Sequence, residues 1–114
     1  MPANYRDVWV RTADGLRVHA RDYPNDRASL TVLCLHGLTR NAADFEELAA
    51  HLGDRYRVVV MEQRGRGESD WDPTPANYHL GSYVADVAAL LAQLGLERVA
   101  VVGTSMGGLM AMTL

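Results

Sequence analysis

The most informative part of this 114-residue chain is Val99-Ala100-Val101-Val102-Gly103-Thr104-Ser105-Met106-Gly107. Its first four residues are apolar and favour a buried strand, and the last five form the pattern G-x-S-x-G. In that pattern a serine occupies a sharp strand-to-helix turn, which lifts its hydroxyl clear of the sheet. Gly103 and Gly107 allow the strand and the helix to approach closely, because neither carries a Cβ. The sequence therefore predicts Ser105 as a nucleophile at the end of a strand.

Ahead of this motif the chain alternates between predicted strands and predicted helices. Alternating apolar residues in Val8–Thr12 and Leu16–Ala20 flank the turn dipeptide Asp14-Gly15, which predicts an antiparallel hairpin. Continuous apolar runs at 30–35 and 58–61 predict two buried strands. Amphipathic stretches at 42–52 and 80–94 predict two helices. A hairpin followed by βαβαβ and the start of another helix predicts an α/β fold with a mostly parallel sheet.

Three loops are expected at the carboxyl ends of the parallel strands, where such sheets bind ligands: residues 36–40, 62–79 and 103–107. The first loop begins with His36-Gly37-Leu38. A loop in this place can direct the Leu38 backbone N–H toward a developing oxyanion, with the Met106 N–H as the second donor. An ordinary turn that needs Gly37 for its backbone angles is the alternative interpretation.

The sequence assigns no general base to Ser105. His36 is predicted to hold its loop together by hydrogen bonds, and the other three histidines are predicted to be surface or capping residues: His19, His51 and His79. Residues 62–70 carry many charges and predict a solvated, salt-bridged loop, with charges that line an entrance to the site as the alternative interpretation. The glycine spacing of this loop does not fit a phosphate loop. Glu62 is a candidate acid, but no histidine near it in sequence would be oriented by it.

Composition and charge exclude several classes of protein. The net charge is −3 and no basic block indicates nucleic acid binding, while the single Cys34 forms neither an internal disulfide nor a zinc motif. The N-terminus lacks the apolar core of a signal peptide, so a cytoplasmic protein is expected. The nearly uncharged stretch 99–114 could suggest a membrane helix. It is shorter than the roughly 20 residues of a span, so no membrane association is predicted.

Together these motifs resemble the N-terminal part of an α/β-hydrolase fold protein with a serine nucleophile. The resemblance covers residues 1–114 as the N-terminal portion of a single domain, with about five of the family's eight strands, and ends just after the nucleophile elbow. It implies Ser105 as nucleophile, Leu38 and Met106 as oxyanion donors, and neither cofactor nor metal. Four further residues would shape the site: His36, Gly37, Gly103 and Gly107. Glu62 departs from the family, which often has Asp there.

The function that the resemblance implies is hydrolysis of an ester, lactone, thioester or related acyl bond of a small molecule. The catalytic acid and histidine would come from outside these 114 residues, because no such side chain follows Ser105. Three alternatives stay open. One is a cofactor-independent hydrolase of carbon–carbon bonds, another is a non-catalytic fragment, and the third is half of a split hydrolase completed by a C-terminal segment or second chain.

Overall fold

The computed structural model describes residues 4–114, which build a five-stranded sheet with helices on both faces. The strands are β1 (Arg6–Arg11), β2 (Arg17–Tyr23), β3 (Thr31–Leu35), β4 (Arg57–Met61) and β5 (Val99–Gly103). The α-helices are α1 (Glu46–Leu52), α2 (Leu80–Leu94) and α3 (Met106–Thr113), and short 3₁₀ helices cover Ala42–Phe45 and Pro75–Asn77. This order confirms the predicted α/β fold class, with an N-terminal hairpin followed by βαβαβ.

The strands are arranged in the order β1-β2-β4-β3-β5. β3 pairs in parallel with both β4 and β5, whereas β2 pairs antiparallel with both β1 and β4. Leu35, the last residue of β3, lies beside Met61 of β4 and Gly103 of β5. The three parallel strands therefore end level with one another, and the loops that follow them meet at one edge of the sheet.

Both faces of β3 and of most of β4 are buried, as their apolar runs predict, whereas the residues of β5 are partly exposed. Leu33 and Leu35 of β3 belong to a core that includes residues of α2 and α3, while Val32 and Cys34 belong to a second core that includes Phe45 and residues of α1. This division follows from the alternation of side chains along a strand. Each helix covers the sheet with its apolar side, so the elements that carry the loops are fixed in position.

The helix ends agree with the predicted signals, with one difference. The Asn41 side chain accepts a hydrogen bond from the Ala43 N–H, as expected of an N-cap, but the first turn of the predicted helix 42–52 is 3₁₀ and becomes α-helical at Glu46. The α2 helix begins and ends as predicted. His79 caps it by accepting a hydrogen bond from the Ser82 N–H, and Gly95 ends it in the left-handed region at φ 68°.

The apolar stretch 99–114 is divided between β5 and the eight-residue helix α3. Among residues 4–114, no helix combines the length and the apolar character that crossing a bilayer requires.

Candidate active site

Ser105 stands at the tip of the turn between β5 and α3. Its φ is 54° and its ψ is −115°. Among residues 4–114, no other residue except glycine has a positive φ. Such a conformation costs on the order of 1–3 kcal/mol and persists where the surrounding structure enforces it. The side chain is exposed, and none of the side-chain hydrogen bonds found among residues 4–114 involves its hydroxyl. The hydroxyl is therefore accessible to a ligand at the carboxyl ends of the parallel strands.

Two glycines enforce this turn by close backbone packing. A Cβ placed on Gly107 would overlap the carbonyl oxygen of Leu35, and one on Gly103 would overlap the carbonyl of Gly107. In addition, the Thr104 N–H donates to the Leu35 carbonyl oxygen at 3.1 Å. The start of α3 is thus pressed against the ends of β3 and β5, at a distance that a side chain at either glycine would prevent.

The loop after β3 lies directly against Ser105. A Cβ on Gly37 would be 3.6 Å from the Ser105 Cβ, and Leu38 follows with a side chain that is 54% exposed. In the described part of the chain, neither the Leu38 N–H nor the Met106 N–H donates in any of the observed backbone hydrogen bonds. The loop that contains Leu38 therefore packs beside the turn that carries Ser105, and the two amides that the sequence singles out are not used in backbone hydrogen bonds within residues 4–114.

His36 joins the loops after β3 and β4. Its ring is fully buried, its Nδ1 is 2.7 Å from the Gly37 carbonyl oxygen, and its Nε2 accepts a hydrogen bond from the Gln63 N–H at 3.0 Å. Burial lowers the pKa of this imidazole, which favours the neutral ring that these two bonds require. Because both ring nitrogens are engaged in the loop, neither faces Ser105 as a free base.

The loop after β4 differs from the solvated loop that its charges predict. Glu62, Gln63 and Arg64 are all at least 96% buried. The Arg64 guanidinium donates to Asp86 at 2.6 and 2.8 Å, to Asp14 at 2.8 Å and to Asp72 at 3.0 Å. Burial of a charge is tolerated here because three carboxylates surround the guanidinium, and the sequence did not show that residues so far apart converge.

Glu62 is likewise committed to the scaffold. Its carboxylate is 2.7 Å from Nδ1 of His19 and accepts hydrogen bonds from the N–H groups of Ala42 and Glu68 at 3.0 and 2.9 Å. Burial by itself would raise its pKa, but the bond with His19 and the two backbone donors outweigh burial and hold the pKa at about 2. The carboxylate therefore orients His19 and links β2, the 3₁₀ helix that begins at Ala42 and the loop after β4.

The prediction that His19 is an ordinary surface or capping residue is wrong. His19 is 1% exposed, and its Nε2 lies 2.6 Å from Asp7 while its Nδ1 bonds to Glu62. Burial would lower its pKa, but the two carboxylates outweigh burial and raise it. The residue is buried because β2 lies inside the sheet, between β1 and β4. By contrast, His51 is exposed and His79 caps α2, as predicted.

Three side chains around His19 are close enough to one another to be considered as metal ligands among the described residues: Asp7, His19 and Glu68. The separation of 2.6 Å between His19 Nε2 and Asp7 Oδ1 is that of a charge-assisted hydrogen bond. The hydrogen bonds of His19 to Glu62 and Asp7 are therefore sufficient to account for the close approach of these side chains. The cluster thus fastens the hairpin to the loop after β4.

We expect Glu62→Gln to lower the free energy of unfolding of the complete protein by about 1–3 kcal/mol at pH 7, because the amide carries no charge for His19. The ordinary pKa of Glu62, 4.5, falls to about 2 in the folded state. Its carboxylate therefore stabilises the fold fully above pH 4.5, and this stabilisation is lost as the pH falls toward 2. Urea unfolding at pH 7, 4 and 3 should show the difference from wild type shrinking with acidification.

Glu97→Gln is the matched control, because Glu97 is exposed in the turn before β5. It should leave stability within about 0.5 kcal/mol of wild type at each pH. A Glu62→Gln variant as stable as wild type at pH 7, or a difference that stays constant down to pH 3, would contradict the assignment.

The sequence of the chain matches known proteins along its whole length. The model of the family described as "alpha/beta hydrolase fold" matches residues 31–114. A 3-hydroxybutyrate-oligomer hydrolase from Cupriavidus necator is 45% identical over 117 residues, which cover 100% of this chain and 40% of that relative.

Solved structures agree with the sequence matches. An alpha/beta hydrolase from Novosphingobium aromaticivorans superposes with a TM-score of 0.92 and 50% identity, covering 99% of this chain and 39% of that one. An esterase from Exiguobacterium antarcticum superposes with a TM-score of 0.85 and 28% identity, covering 95% of this chain and 39% of its own. The chain therefore spans about two fifths of the length of these proteins.

Proposed function

The chain belongs to the α/β-hydrolase fold family, and from this premise we propose that the complete protein is a serine hydrolase. It would cleave an ester, lactone, thioester or related acyl bond of a small molecule through an acyl-enzyme on Ser105. The 114 residues would then form the N-terminal portion of a single catalytic domain. The names of two similar proteins, an oligomer hydrolase and an esterase, support hydrolysis as the reaction type.

The observation that carries this proposal is the conformation of Ser105. A serine held at φ 54° on an exposed turn, beside the loop that begins at Gly37, places its hydroxyl where an acyl carbonyl can approach. The Met106 N–H, the first of α3, makes none of the observed backbone hydrogen bonds among the described residues, and a free donor at a helix N-terminus favours the negative charge of a tetrahedral intermediate. A merely structural serine would need neither the strained backbone nor the exposure.

The reaction would proceed in two steps. The Ser105 Oγ attacks the carbonyl carbon and gives its proton to a histidine, and the carbonyl oxygen becomes an oxyanion held by the N–H groups of Leu38 and Met106. The histidine then protonates the leaving group, which leaves an acyl-enzyme. Water repeats the sequence on this ester, releasing the acid and restoring the serine hydroxyl.

We place the histidine and its orienting acid outside these 114 residues. His36 uses both ring nitrogens in the loops, and His19 is held between Asp7 and Glu62. A C-terminal segment of the same protein, or a second chain, would supply both groups. The length of the relatives, of which the chain spans about two fifths, leaves room for such a segment.

The direct test is labelling of the complete protein with a fluorophosphonate, which forms a covalent bond with an activated serine only. Mass spectrometry of the digested protein should find one adduct, on the peptide that contains Ser105. Ser29 provides the control within the same molecule, since it is exposed at the opposite end of β3 and should stay unmodified. Ester hydrolysis that persists in protein without an adduct at Ser105 would refute the proposal.

A further inference from the structure

Arg66 lies where two grooves at the sheet edge meet. The first groove has a volume of about 370 Å³ and is lined by Leu38, Gly65, Arg66, Trp71, Tyr78 and Tyr83. The second has a volume of about 550 Å³ and is lined by residues 38–41 and 65–67. Both grooves share Leu38, Gly65 and Arg66. Leu38 follows Gly37, which packs against Ser105, so both grooves adjoin the loop that lies beside the proposed nucleophile.

The hydrogen-bond partners of Arg66 are all uncharged. Its Nε donates to the Leu38 carbonyl oxygen at 2.9 Å, and its Nη1 donates to the Arg64 carbonyl oxygen at 3.0 Å and to the Tyr83 hydroxyl at 3.1 Å. Among the described residues its Nη2 makes no hydrogen bond and no carboxylate lies within ion-pair distance of the guanidinium. Its positive charge is thus unmatched within residues 4–114.

Several other arginines among the described residues are paired with carboxylates. Arg40, which lines the second groove, bonds to Asp44 at 2.6 and 2.7 Å, and Arg57 bonds to Asp22 at 2.9 and 3.0 Å. Arg64, two residues before Arg66, is surrounded by carboxylates. Arg66 is therefore the guanidinium in the two grooves with charge and a donor available to a ligand.

The position of this guanidinium is fixed before any ligand binds. Its Cζ lies 5.1 Å from the ring centroid of Tyr83 and 5.8 Å from that of Tyr78. Gly65 adopts φ 78°, and a Cβ there would come within 2.8 Å of the Tyr78 ring, so the backbone before Arg66 packs closely on that ring. Preorganisation of this kind lowers the entropy that binding costs.

We propose that Arg66 binds a carboxylate of the substrate, so that the enzyme prefers acyl compounds that carry a carboxylate a few carbons from the bond that is cleaved. This inference rests on the proposed function. The planar guanidinium matches a carboxylate in geometry and charge. The exposed apolar side chains of Leu38 and Trp71, 54% and 77% exposed, provide surface for the carbon chain between the two groups.

The test compares matched pairs of 4-nitrophenyl esters with the complete protein. Monoesters of succinic and adipic acid carry the carboxylate, and esters of 4-methylpentanoic and 6-methylheptanoic acid replace it with an uncharged isopropyl group of similar shape. With wild type, we expect a higher kcat/KM for at least one charged ester than for its neutral partner. In Arg66→Gln this ratio should fall by about 10- to 100-fold, the size expected for loss of a charge-assisted hydrogen bond.

Two further variants distinguish binding from scaffolding. Arg66→Lys keeps the charge and should recover part of the ratio, whereas Arg55→Gln, remote from the grooves, should leave it unchanged. If Arg66 acts only by holding the Leu38 carbonyl, Arg66→Gln will lower kcat/KM equally for both esters of a pair, and the inference is wrong. An unchanged ratio also overturns it.

The inference and the proposed function fail in different ways. Suppose that Ser105 is labelled by the fluorophosphonate, but the ratio of kcat/KM between charged and neutral esters is the same in wild type and Arg66→Gln. This result overturns the carboxylate site and leaves the proposed function standing. If wild type hydrolyses neither ester of a pair and Ser105 stays unlabelled, the proposed function is refuted and the inference with it.

Discussion

In the complete protein, Ser105→Ala should lower kcat for ester hydrolysis by about 10⁴-fold or more, with little change in KM. The Oγ of Ser105 is the atom proposed to attack the carbonyl, so its removal abolishes formation of the acyl-enzyme. Substrate binding should survive, because the grooves beside Leu38 do not involve this side chain. Steady-state kinetics with a neutral 4-nitrophenyl ester measure both parameters.

Folding provides the internal check for this variant. The Ser105 hydroxyl makes no side-chain hydrogen bond among the described residues, so its removal should leave the free energy of unfolding within about 1 kcal/mol of wild type. Ser29→Ala, a second exposed serine at the far end of β3, should retain full activity. Activity that persists in a folded Ser105→Ala protein would refute the assignment of the nucleophile.

Replacement of Arg64 by methionine should lower the free energy of unfolding of the complete protein by about 3–5 kcal/mol. The guanidinium is 2% exposed and donates to Asp86, Asp14 and Asp72, and methionine leaves all three carboxylates without their cation. Its bonds also hold the pKa of Asp14 at about 2. Urea unfolding at pH 7 followed by circular dichroism measures the loss.

The effect should be smaller in acid. Burial raises the pKa of Asp86 and the bonds with Arg64 lower it, so loss of the guanidinium should let this carboxyl take up a proton at a higher pH than in wild type. The difference in unfolding free energy between wild type and Arg64→Met should therefore narrow between pH 7 and pH 4.

Arg40→Met is the matched control, since it removes another arginine that is paired with an aspartate. Arg40 and Asp44, four residues apart in sequence, form an ion pair at the surface, and such pairs contribute about 0.5 kcal/mol or less. If the two substitutions destabilise the protein equally, burial of the Arg64 cluster is not what makes it important.

Local patterns predicted the secondary structure well. Asp14-Gly15 and the alternation around it gave the hairpin, and the spacing of Leu80, Val84, Val87 and Leu94 gave α2 with its glycine stop. These signals are local because a turn and a helical face are properties of neighbouring residues. The first turn of the helix after Asn41 was predicted as α-helical and is 3₁₀, a difference of geometry within one turn.

The candidate site was predicted in part. The elbow pattern located Ser105, and the loop after β3 was expected beside it because the carboxyl ends of parallel strands share an edge. In the sequence, Arg66 is one of several charged residues in 62–70, and no local pattern distinguishes it from the others. The structure shows that Arg40 and Arg64 each bond to a carboxylate, whereas Arg66 bonds to no carboxylate among the described residues.

Local sequence patterns were enough to predict the order of strands and helices, the strained turn at Ser105 and the family to which the chain belongs, because each depends on residues close together in the chain. The tertiary structure alone decided how distant charges combine. It inserted β2 between β1 and β4, which buried His19 against Glu62, and it brought Asp14, Asp72 and Asp86 around Arg64. Charged residues carry no periodic signal of their partners, so whether each one is solvated, paired or left free for a ligand depends on which elements the fold packs together.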